Sequence, residues 1–170
     1  MIRHRKRLIY LLGFMGSGKS TVGELLACRI GWPFIDLDST IEAGRGASIR
    51  EIFERVGEPF FRQIERAALA EVSKSEPAVI ALGGGTWVQE ENLELIRSTG
   101  GATVWLDSTL EELHRRCASI TNRPLFRDIE SFAHLYNQRL PYYQLAEFRI
   151  GTDGSTPEEV MERILSLNLF

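Results

Sequence analysis

Gly13-Phe14-Met15-Gly16-Ser17-Gly18-Lys19-Ser20-Thr21 lies between a short apolar run and a helix-like segment. This stretch matches G-x-x-x-x-G-K-[ST], the pattern of a phosphate-binding loop. Its glycines permit positive φ angles, so backbone N–H groups can converge on phosphate oxygens, and the positive end of the following helix faces the same anion. A glycine-rich turn without a ligand is the alternative, and the strand before and helix after the loop argue against it. The loop therefore predicts binding of a nucleoside triphosphate with Mg²⁺.

The residue types inside the loop suit a nucleotide and its metal ion. Lys19 is expected to pair with the β- and γ-phosphates, and the hydroxyl of Ser20 is expected to contact Mg²⁺. Nucleotide contacts are assigned to six consecutive residues: Gly16, Ser17, Gly18, Lys19, Ser20 and Thr21. The loop alone does not separate GTPases, ATPases and kinases, because all of these classes use it.

Outside the loop, short apolar runs alternate with segments that carry helix-start signals. The runs, each bounded by Gly, Pro or polar residues, are 8–12, 34–37, 78–82, 102–106 and 148–150. Capping boxes are predicted at Ser48 with Glu51, Ser108 with Glu111, and Thr156 with Glu159. This alternation predicts an α/β fold whose parallel sheet carries helices on both faces. Ligands of such sheets bind at the carboxyl ends of the strands.

Composition excludes several classes of protein. The chain has 170 residues, a length typical of one domain, and its 20 basic against 23 acidic residues give a formal charge of −3. That charge disfavours a nucleic-acid binder, and no apolar run approaches the ~20 residues of a membrane span. Cys28 and Cys117 lack disulfide-framework or metal-ligand spacing, which favours a reducing compartment. We expect a cytoplasmic protein, and a monomer because no exposed apolar stripe is evident.

Acidic and glycine residues follow two of the predicted strands. Asp36 and Asp38 end the second run, and residues two apart in a strand face the same side, so both are expected at one site. One carboxylate can hold hydrated Mg²⁺, and the other can orient or deprotonate an attacking hydroxyl. The alternative is that either Asp caps a helix beginning near Ser39. The third run ends in Gly83-Gly84-Gly85, where bare backbone allows close approach of a ligand, or forms a plain turn.

Six motifs occur in order along the chain: the loop with Gly23 behind it, Asp36 with Asp38, and residues 52–65, 83–85, 123–125 and 139–143. The third motif reads I-F-x-x-x-G-E-x-x-F-R-x-x-E, the fifth R-P-L and the last R-x-P-x-Y. In order and approximate spacing, they resemble the motifs of the shikimate kinase family.

The resemblance implies a reaction and an architecture. The reaction is ATP-dependent phosphorylation of the 3-hydroxyl of shikimate, giving shikimate 3-phosphate and ADP in aromatic amino-acid biosynthesis. The fold is the P-loop, nucleoside-monophosphate-kinase-like sandwich of three layers, with a five-stranded parallel sheet in the order 2-3-1-4-5. Residues 1–170 would form a single kinase domain, with a substrate-binding segment at about 38–66 and a lid at about 115–128.

The resemblance also implies roles at matching positions. Asp38 would hydrogen-bond the shikimate hydroxyls and act as the base, while Arg62 and Arg139 would bind the substrate carboxylate. The backbone of Gly84 and Gly85 would reach the ring hydroxyls.

Nucleotide-side roles are implied in the same way. Asp36 would join Ser20 at Mg²⁺, and Lys19 would hold the phosphates. Arg123 would lie over the transferred phosphoryl group, with a catalytic role, and Arg116 would lie near the adenine.

Simpler roles for several of these side chains stay open. Arg62 and Glu65 are three residues apart on a predicted helix and can pair with each other. Arg139 can be a surface charge at a helix end. Phe53 and Phe61 can belong either to the core or to the wall of the pocket.

Two other functions compete with the kinase suggested by the resemblance. A different small-molecule kinase of this fold is one, and gluconate is a closer rival than a nucleotide because Asp38, Arg62 and Arg139 suit a hydroxylated carboxylate. A non-catalytic ATP-binding domain is the other. Loss of Lys19, Asp38 or Arg123 would favour it, and all three are present.

Overall fold

The computed structural model describes residues 6–118 and 129–170 of the chain. Five strands in these ranges form one parallel sheet: β1 Leu8–Leu12, β2 Phe34–Asp36, β3 Ala78–Ala81, β4 Ala102–Asp107 and β5 Phe148–Gly151. Their order in the sheet is β2-β3-β1-β4-β5, which confirms the predicted order 2-3-1-4-5. The position of β1 at the centre places the loop that follows it in the middle of the carboxyl edge.

Helices cover both faces of the sheet. In the described ranges they are α1 Lys19–Ile30, α2 Leu37–Arg45, α3 Ile49–Val72, α4 Glu90–Ser98, α5 Leu110–Ala118, α6 Ile129–Tyr143 and α7 Pro157–Leu165. Side chains of β1 divide between two apolar cores: Leu8, Tyr10 and Leu12 lie in one, whereas Ile9 and Leu11 lie in the other. This division follows from the alternation of side chains along a strand, and it confirms three layers.

Two predicted element boundaries shift in the structure. The second strand ends at Asp36, and Leu37 already belongs to helix α2. Helix α5 begins at Leu110, and Oγ1 of Thr109 accepts a hydrogen bond of 3.3 Å from the backbone N–H of Glu112. The prediction of a cap at Ser108 is therefore wrong by one residue, because the Ser108 hydroxyl is instead hydrogen-bonded to Oγ1 of Thr152.

The other two predicted capping boxes are present. Ser48 caps α3 with Glu51, and Thr156 caps α7 with Glu159, with reciprocal side-chain and backbone bonds in each case. Helix α3 is interrupted at Gly57, whose φ of 75° is not helical. The break divides α3 into two helical parts, and the second part carries the charged residues of the site described below.

The described part of the chain, 6–118 and 129–170, contains no helix with both the length and the apolar character needed to cross a membrane.

Gly23 sets the distance between α1 and the sheet. A Cβ at this position would lie 2.4 Å from Cε2 of Phe34 and 3.2 Å from Cδ1 of Leu11, so the helix can pack this closely only without a side chain. Gly44 in α2 is the opposite case, since it is exposed and a Cβ added there would have no neighbouring atom within 4 Å.

Alanine at these two glycines should change stability in opposite directions. Gly23→Ala overpacks the interface with β2 and is expected to lower the free energy of unfolding by about 1–3 kcal/mol. Gly44→Ala is expected to raise it by roughly 0.5–1 kcal/mol, because alanine loses less conformational entropy in a helix. Chemical denaturation of both variants measures the two changes. Equal stability of Gly23→Ala and the parent chain would contradict the packing argument.

Candidate active site

The phosphate-binding loop has the backbone expected of an anion cradle. Gly13, Gly16 and Gly18 have φ angles of 150°, 82° and 92°, and Gly18 caps the N-terminus of α1. Nζ of Lys19 donates hydrogen bonds to the carbonyl oxygens of Gly13 at 2.8 Å and Phe14 at 3.2 Å. The lysine thus folds back over the loop, where its charge faces the place that phosphates take in such loops.

Asp36 caps a helix and also contacts the other residue predicted to hold Mg²⁺. Its Oδ2 accepts a hydrogen bond of 2.6 Å from the hydroxyl of Ser20, and its Oδ1 accepts one of 3.1 Å from the backbone N–H of Ser39. The second bond is an N-cap for α2. The first joins the two residues predicted to hold Mg²⁺, one hydroxyl and one carboxylate, and oxygen donors of this kind suit that ion.

Asp38 lies at the site, but on a helix and not on the strand that the sequence predicted. The prediction that Asp36 and Asp38 alternate along one strand is wrong, because the strand ends at Asp36 and Asp38 lies in the first turn of α2. Its carboxylate nevertheless packs against the triple glycine: a Cβ at Gly83 would lie 2.6 Å from Oδ1 of Asp38. The helical turn brings the carboxylate to the end of β3.

The environment of Asp38 makes it a stronger base than an ordinary aspartate. Burial raises the pKa of Asp38 from 3.8 to about 6; the nearby charge of Lys19 lowers this pKa, whereas the carboxylates of Asp36, Glu65 and Glu42 raise it. A perturbed pKa of this kind in a cleft is typical of functional sites. The group is ionised at neutral pH and can still accept a proton.

Two arginines from different helices meet at the same stretch of backbone. A Cβ at Gly85 would lie 2.8 Å from Nη2 of Arg62 and 3.3 Å from Nη2 of Arg139, and a Cβ at Gly84 would lie 2.9 Å from Nη1 of Arg139. Arg62 comes from the second part of α3, and Arg139 comes from α6. The structure therefore brings together the two arginines predicted to bind a carboxylate.

Aromatic rings support both guanidinium groups. Cζ of Arg62 lies 5.4 Å from the ring centroid of Phe61 and 5.9 Å from that of Phe53, and Cζ of Arg139 lies 5.6 Å from that of Phe14. The rings of Phe53 and Phe61 are 4.3 Å apart. Phe61 is fully buried and Phe53 partly so, hence both belong to the core and also contact the site.

Pairing between Arg62 and Glu65, the simpler role predicted for this arginine, is also present. Nη1 of Arg62 donates a hydrogen bond of 2.9 Å to Oε2 of Glu65, and Nη2 lies 3.2 Å from Oε1 of Glu58. Glu65 is only 1% exposed, so this ion pair is shielded from water on the carboxylate side. The pair holds the guanidinium against Gly85 and is compatible with a substrate role for Arg62.

Tyr143 is the tyrosine of the R-x-P-x-Y motif, and no role was predicted for it from the sequence. Its hydroxyl donates a hydrogen bond of 2.8 Å to the carbonyl oxygen of Gly84, and burial raises its pKa to about 12. The guanidinium of Arg139, one helical turn earlier on α6, lowers this pKa in part. The spacing of R-x-P-x-Y was the available signal, because residues four apart lie on one face of a helix.

Arg116 lies beside the phosphate-binding loop. Its Nη1 donates to the carbonyl oxygen of Gly16 at 3.2 Å, its Nη2 donates to that of Thr152 at 3.2 Å, and its Nε donates to Glu112 at 2.7 Å. These bonds connect α5 with the loop and with the end of β5, and contact with adenine stays a prediction. Arg123, and with it most of the predicted lid at 115–128, lies outside the described residues.

The fold and this edge of the sheet define a class of protein. A parallel sheet in the order β2-β3-β1-β4-β5, with a phosphate-binding loop between β1 and α1, is the P-loop architecture of the nucleoside-monophosphate-kinase-like proteins. A family model described as shikimate kinase matches residues 15–168. The chain belongs to the shikimate kinase family.

Individual relatives agree with the family model. A shikimate kinase from Geobacter metallireducens is 45% identical over 161 residues, which span 93% of this chain and 89% of that protein. A shikimate kinase from Sulfurihydrogenibium is 40% identical over 159 residues, spanning 93% and 95%. A shikimate kinase from Acinetobacter baumannii, solved in complex with shikimate, aligns with a TM-score of 0.89 at 36% identity, covering 96% of this chain and 93% of that one.

The raised pKa of Asp38 predicts a pH-dependent gain in stability for Asp38→Asn. The folded state holds the proton up to about pH 6, whereas an unfolded aspartate loses it near 3.8. The folded protein therefore loses stability as the pH rises through this window, and the loss is complete above it. Asparagine avoids this loss of stability, so the variant should be more stable than the parent by roughly 3 kcal/mol at pH 8.

Thermal melting of both chains at pH 8 and at pH 4 checks this prediction. The variant should melt about 6–12 °C higher at pH 8, with little difference at pH 4. Asp153→Asn, at an exposed aspartate whose side chain accepts the Thr109 N–H, is the control for the removal of one surface carboxylate. A gain of the same size at both pH values would contradict the assignment.

Proposed function

We propose that this protein phosphorylates the 3-hydroxyl of shikimate with ATP, giving shikimate 3-phosphate and ADP, in the biosynthesis of aromatic amino acids. One observation carries the proposal: in a member of the shikimate kinase family, Asp38, Arg62 and Arg139 converge on the backbone of the triple glycine. Shikimate is a hydroxylated monocarboxylate, so it needs cations at one end and a base with hydrogen-bond acceptors at the other.

The arginines form the carboxylate end of this pocket. A guanidinium group is planar and presents paired N–H donors that match the two oxygens of a carboxylate. Arg62 and Arg139 both adjoin Gly85, so one carboxylate can contact both. The absence of side chains at Gly84 and Gly85 leaves the backbone open to the ring hydroxyls.

Asp38 provides the proton acceptor. The 3-hydroxyl oxygen attacks the γ-phosphorus of ATP, its proton passes to the carboxylate of Asp38, and the bond to the β-phosphate oxygen breaks to release ADP. A base with a pKa of about 6 is ionised at pH 7 and still basic enough to take this proton. The position of Asp38 beside Gly83 puts it next to the backbone assigned to the ring hydroxyls.

The remaining residues act on the nucleotide. Lys19 and the loop amides bind the phosphates, and Ser20 with Asp36 would hold Mg²⁺; the Ser20–Asp36 distance of 2.6 Å and the two oxygen donors fit this ion. Bound Mg²⁺ neutralises charge on the phosphates. Arg116 is assigned to the adenine and Arg123 to the transferred phosphoryl group, where an arginine can contribute ~10³–10⁵ in rate.

We extend the proposal to the setting of the reaction. The protein acts in the cytoplasm as a monomer on small molecules, without a nucleic-acid or membrane partner. Residues 1–170 form one kinase domain, in which about 38–66 bind shikimate and about 115–128 close over the nucleotide. The net charge of −3 disfavours a nucleic-acid partner.

Release of ADP with a panel of acceptors tests the function. With Mg-ATP, we expect turnover with shikimate and none with gluconate or AMP. Asp38→Asn should lower kcat by about 10²-fold or more, the usual contribution of a general base, and Asp153→Asn should leave it unchanged. Turnover with gluconate would keep the mechanism and overturn the substrate, whereas ATP binding without any turnover would favour a non-catalytic domain.

A second experiment distinguishes residues that bind the carboxylate of shikimate from residues that bind the nucleotide. Lysine cannot reproduce the paired donors of arginine, so Arg62→Lys and Arg139→Lys should each lower kcat/KM for shikimate by about 10- to 100-fold. The KM for ATP should stay within about twofold, since neither guanidinium belongs to the phosphate-binding loop.

The matched control is Arg66→Lys. Arg66 lies on the same helix as Arg62, is exposed, and pairs with Glu91 away from the triple glycine. It should show parent-like kinetics. An equal rise in KM for both substrates in Arg62→Lys would contradict the assignment of this arginine to the carboxylate.

A further inference from the structure

A buried hydroxyl lies behind the arginine pair, at a residue with no role so far. Thr86 directly follows the triple glycine and is 0% exposed. Its Oγ1 donates a hydrogen bond of 2.7 Å to Oε1 of Glu65. The other oxygen of that carboxylate, Oε2, accepts the bond of 2.9 Å from Nη1 of Arg62. One carboxylate thus links the hydroxyl of Thr86 to the guanidinium.

The backbone of Thr86 is fixed on both sides. Its N–H donates to the carbonyl oxygen of Gly83 at 3.1 Å, and its carbonyl oxygen accepts from Nδ2 of Asn92 at 3.1 Å. Asn92 is itself 1% exposed. These two backbone bonds hold Thr86 in a fixed turn, with its hydroxyl directed to Glu65. Since one of the bonds goes to Gly83, the position of the hydroxyl depends on that of the triple glycine.

The hydroxyl decides how Glu65 can bind Arg62. Oε1 accepts the hydroxyl of Thr86, and the contact between Glu65 and Arg62 is a single bond from Nη1 to Oε2. Nη2 lies against Gly85 and 3.2 Å from Oε1 of Glu58, and Nε is buried without a hydrogen-bond partner among the described residues. A carboxylate free on both oxygens would favour the two-point pairing with guanidinium that is stronger and more common.

We propose that Thr86 is a positioning residue for substrate recognition: its hydroxyl binds one oxygen of Glu65, and Glu65 in turn holds Arg62 beside Gly85, where the guanidinium can reach the substrate carboxylate. This inference rests on the proposed function. Loss of the hydroxyl leaves Oε1 of a buried carboxylate unsatisfied, and the pair relieves this by rearranging. Arg62 then moves from its place beside Gly85, and recognition of the substrate carboxylate weakens.

Thr86→Val removes the hydroxyl and keeps the shape of the side chain. We expect the KM for shikimate to rise about 5- to 30-fold, the size of effect of one hydrogen bond to a charged group, with kcat and the KM for ATP within about twofold. Thr86→Ser restores the donor and should return the KM to within about twofold of the parent. Rescue by serine distinguishes the hydroxyl from the packing of the methyl group.

A neutral substrate gives a second measurement. The methyl ester of shikimate lacks the anionic pair of oxygens, so the parent should use it poorly, and Thr86→Val should change its kcat/KM by less than about twofold, because the carboxylate contact is already lost. Thr103→Val is the matched control: Thr103 is buried, its hydroxyl accepts the N–H of Glu147 at 2.9 Å, and it lies near the start of β4. This control should have parent-like KM values.

The outcomes distinguish this inference from the function on which it rests. Absence of shikimate turnover in the parent chain overturns the proposed function. If the parent turns over shikimate, three results overturn the role of Thr86. The first is an unchanged KM for shikimate in folded Thr86→Val. The others are an equal effect of this substitution on the methyl ester, and a Thr86→Ser variant that does not recover the parent KM. Thermal melting establishes folding, and Thr86→Ala, which also lacks the hydroxyl, carries the same test if the valine variant does not fold.

Discussion

The carboxyl edge of the sheet depends on a steric constraint at Gly13. The φ of this residue is 150°, and a Cβ there would lie 2.7 Å from both the carbonyl oxygen of Leu106 and Oγ of Ser17. Only a glycine lets the loop leave the central strand this close to β4. Since β1 is buried on both faces, the loop cannot move to relieve a clash, and the position of Lys19 follows from this one contact.

Glycines serve a second purpose at the neighbouring strand. A Cβ added at Gly84 or Gly85 would lie 2.8–2.9 Å from a guanidinium nitrogen. The lack of side chains at these two positions therefore makes room for the protein's own arginines, independently of any ligand. At Gly83 the same absence admits the carboxylate of Asp38. The triple glycine therefore brings charges of opposite sign within a few residues of each other, and this is the arrangement that a hydroxylated carboxylate requires.

Most features of the fold that could be predicted from the residues themselves are encoded by short stretches of sequence. The loop and the capping boxes at Ser48 and Thr156 depend on neighbours in sequence, and all are present. The strand order, which is also present, was implied by the family resemblance and by no local pattern. The alternation of apolar and acidic residues continues to Asp38 and predicts a strand there. In the structure the side chain of Asp36 instead caps helix α2, which begins at Leu37. Contacts such as that of Tyr143 with Gly84 join residues 59 apart, and no local pattern encodes them.

The chemistry of Asp38 follows from the same geometry. Burial against the triple glycine makes ionisation costly, and Lys19 at the edge of the neighbouring strand partly offsets that cost. Either influence alone would be less useful: burial without the lysine would leave more of the carboxyl group protonated at neutral pH, and the lysine without burial would leave a weak base. A pKa between these extremes needs both β1 and β3 to end at the same edge, which the parallel sheet provides. The fold thus sets the strength of the base as well as its position.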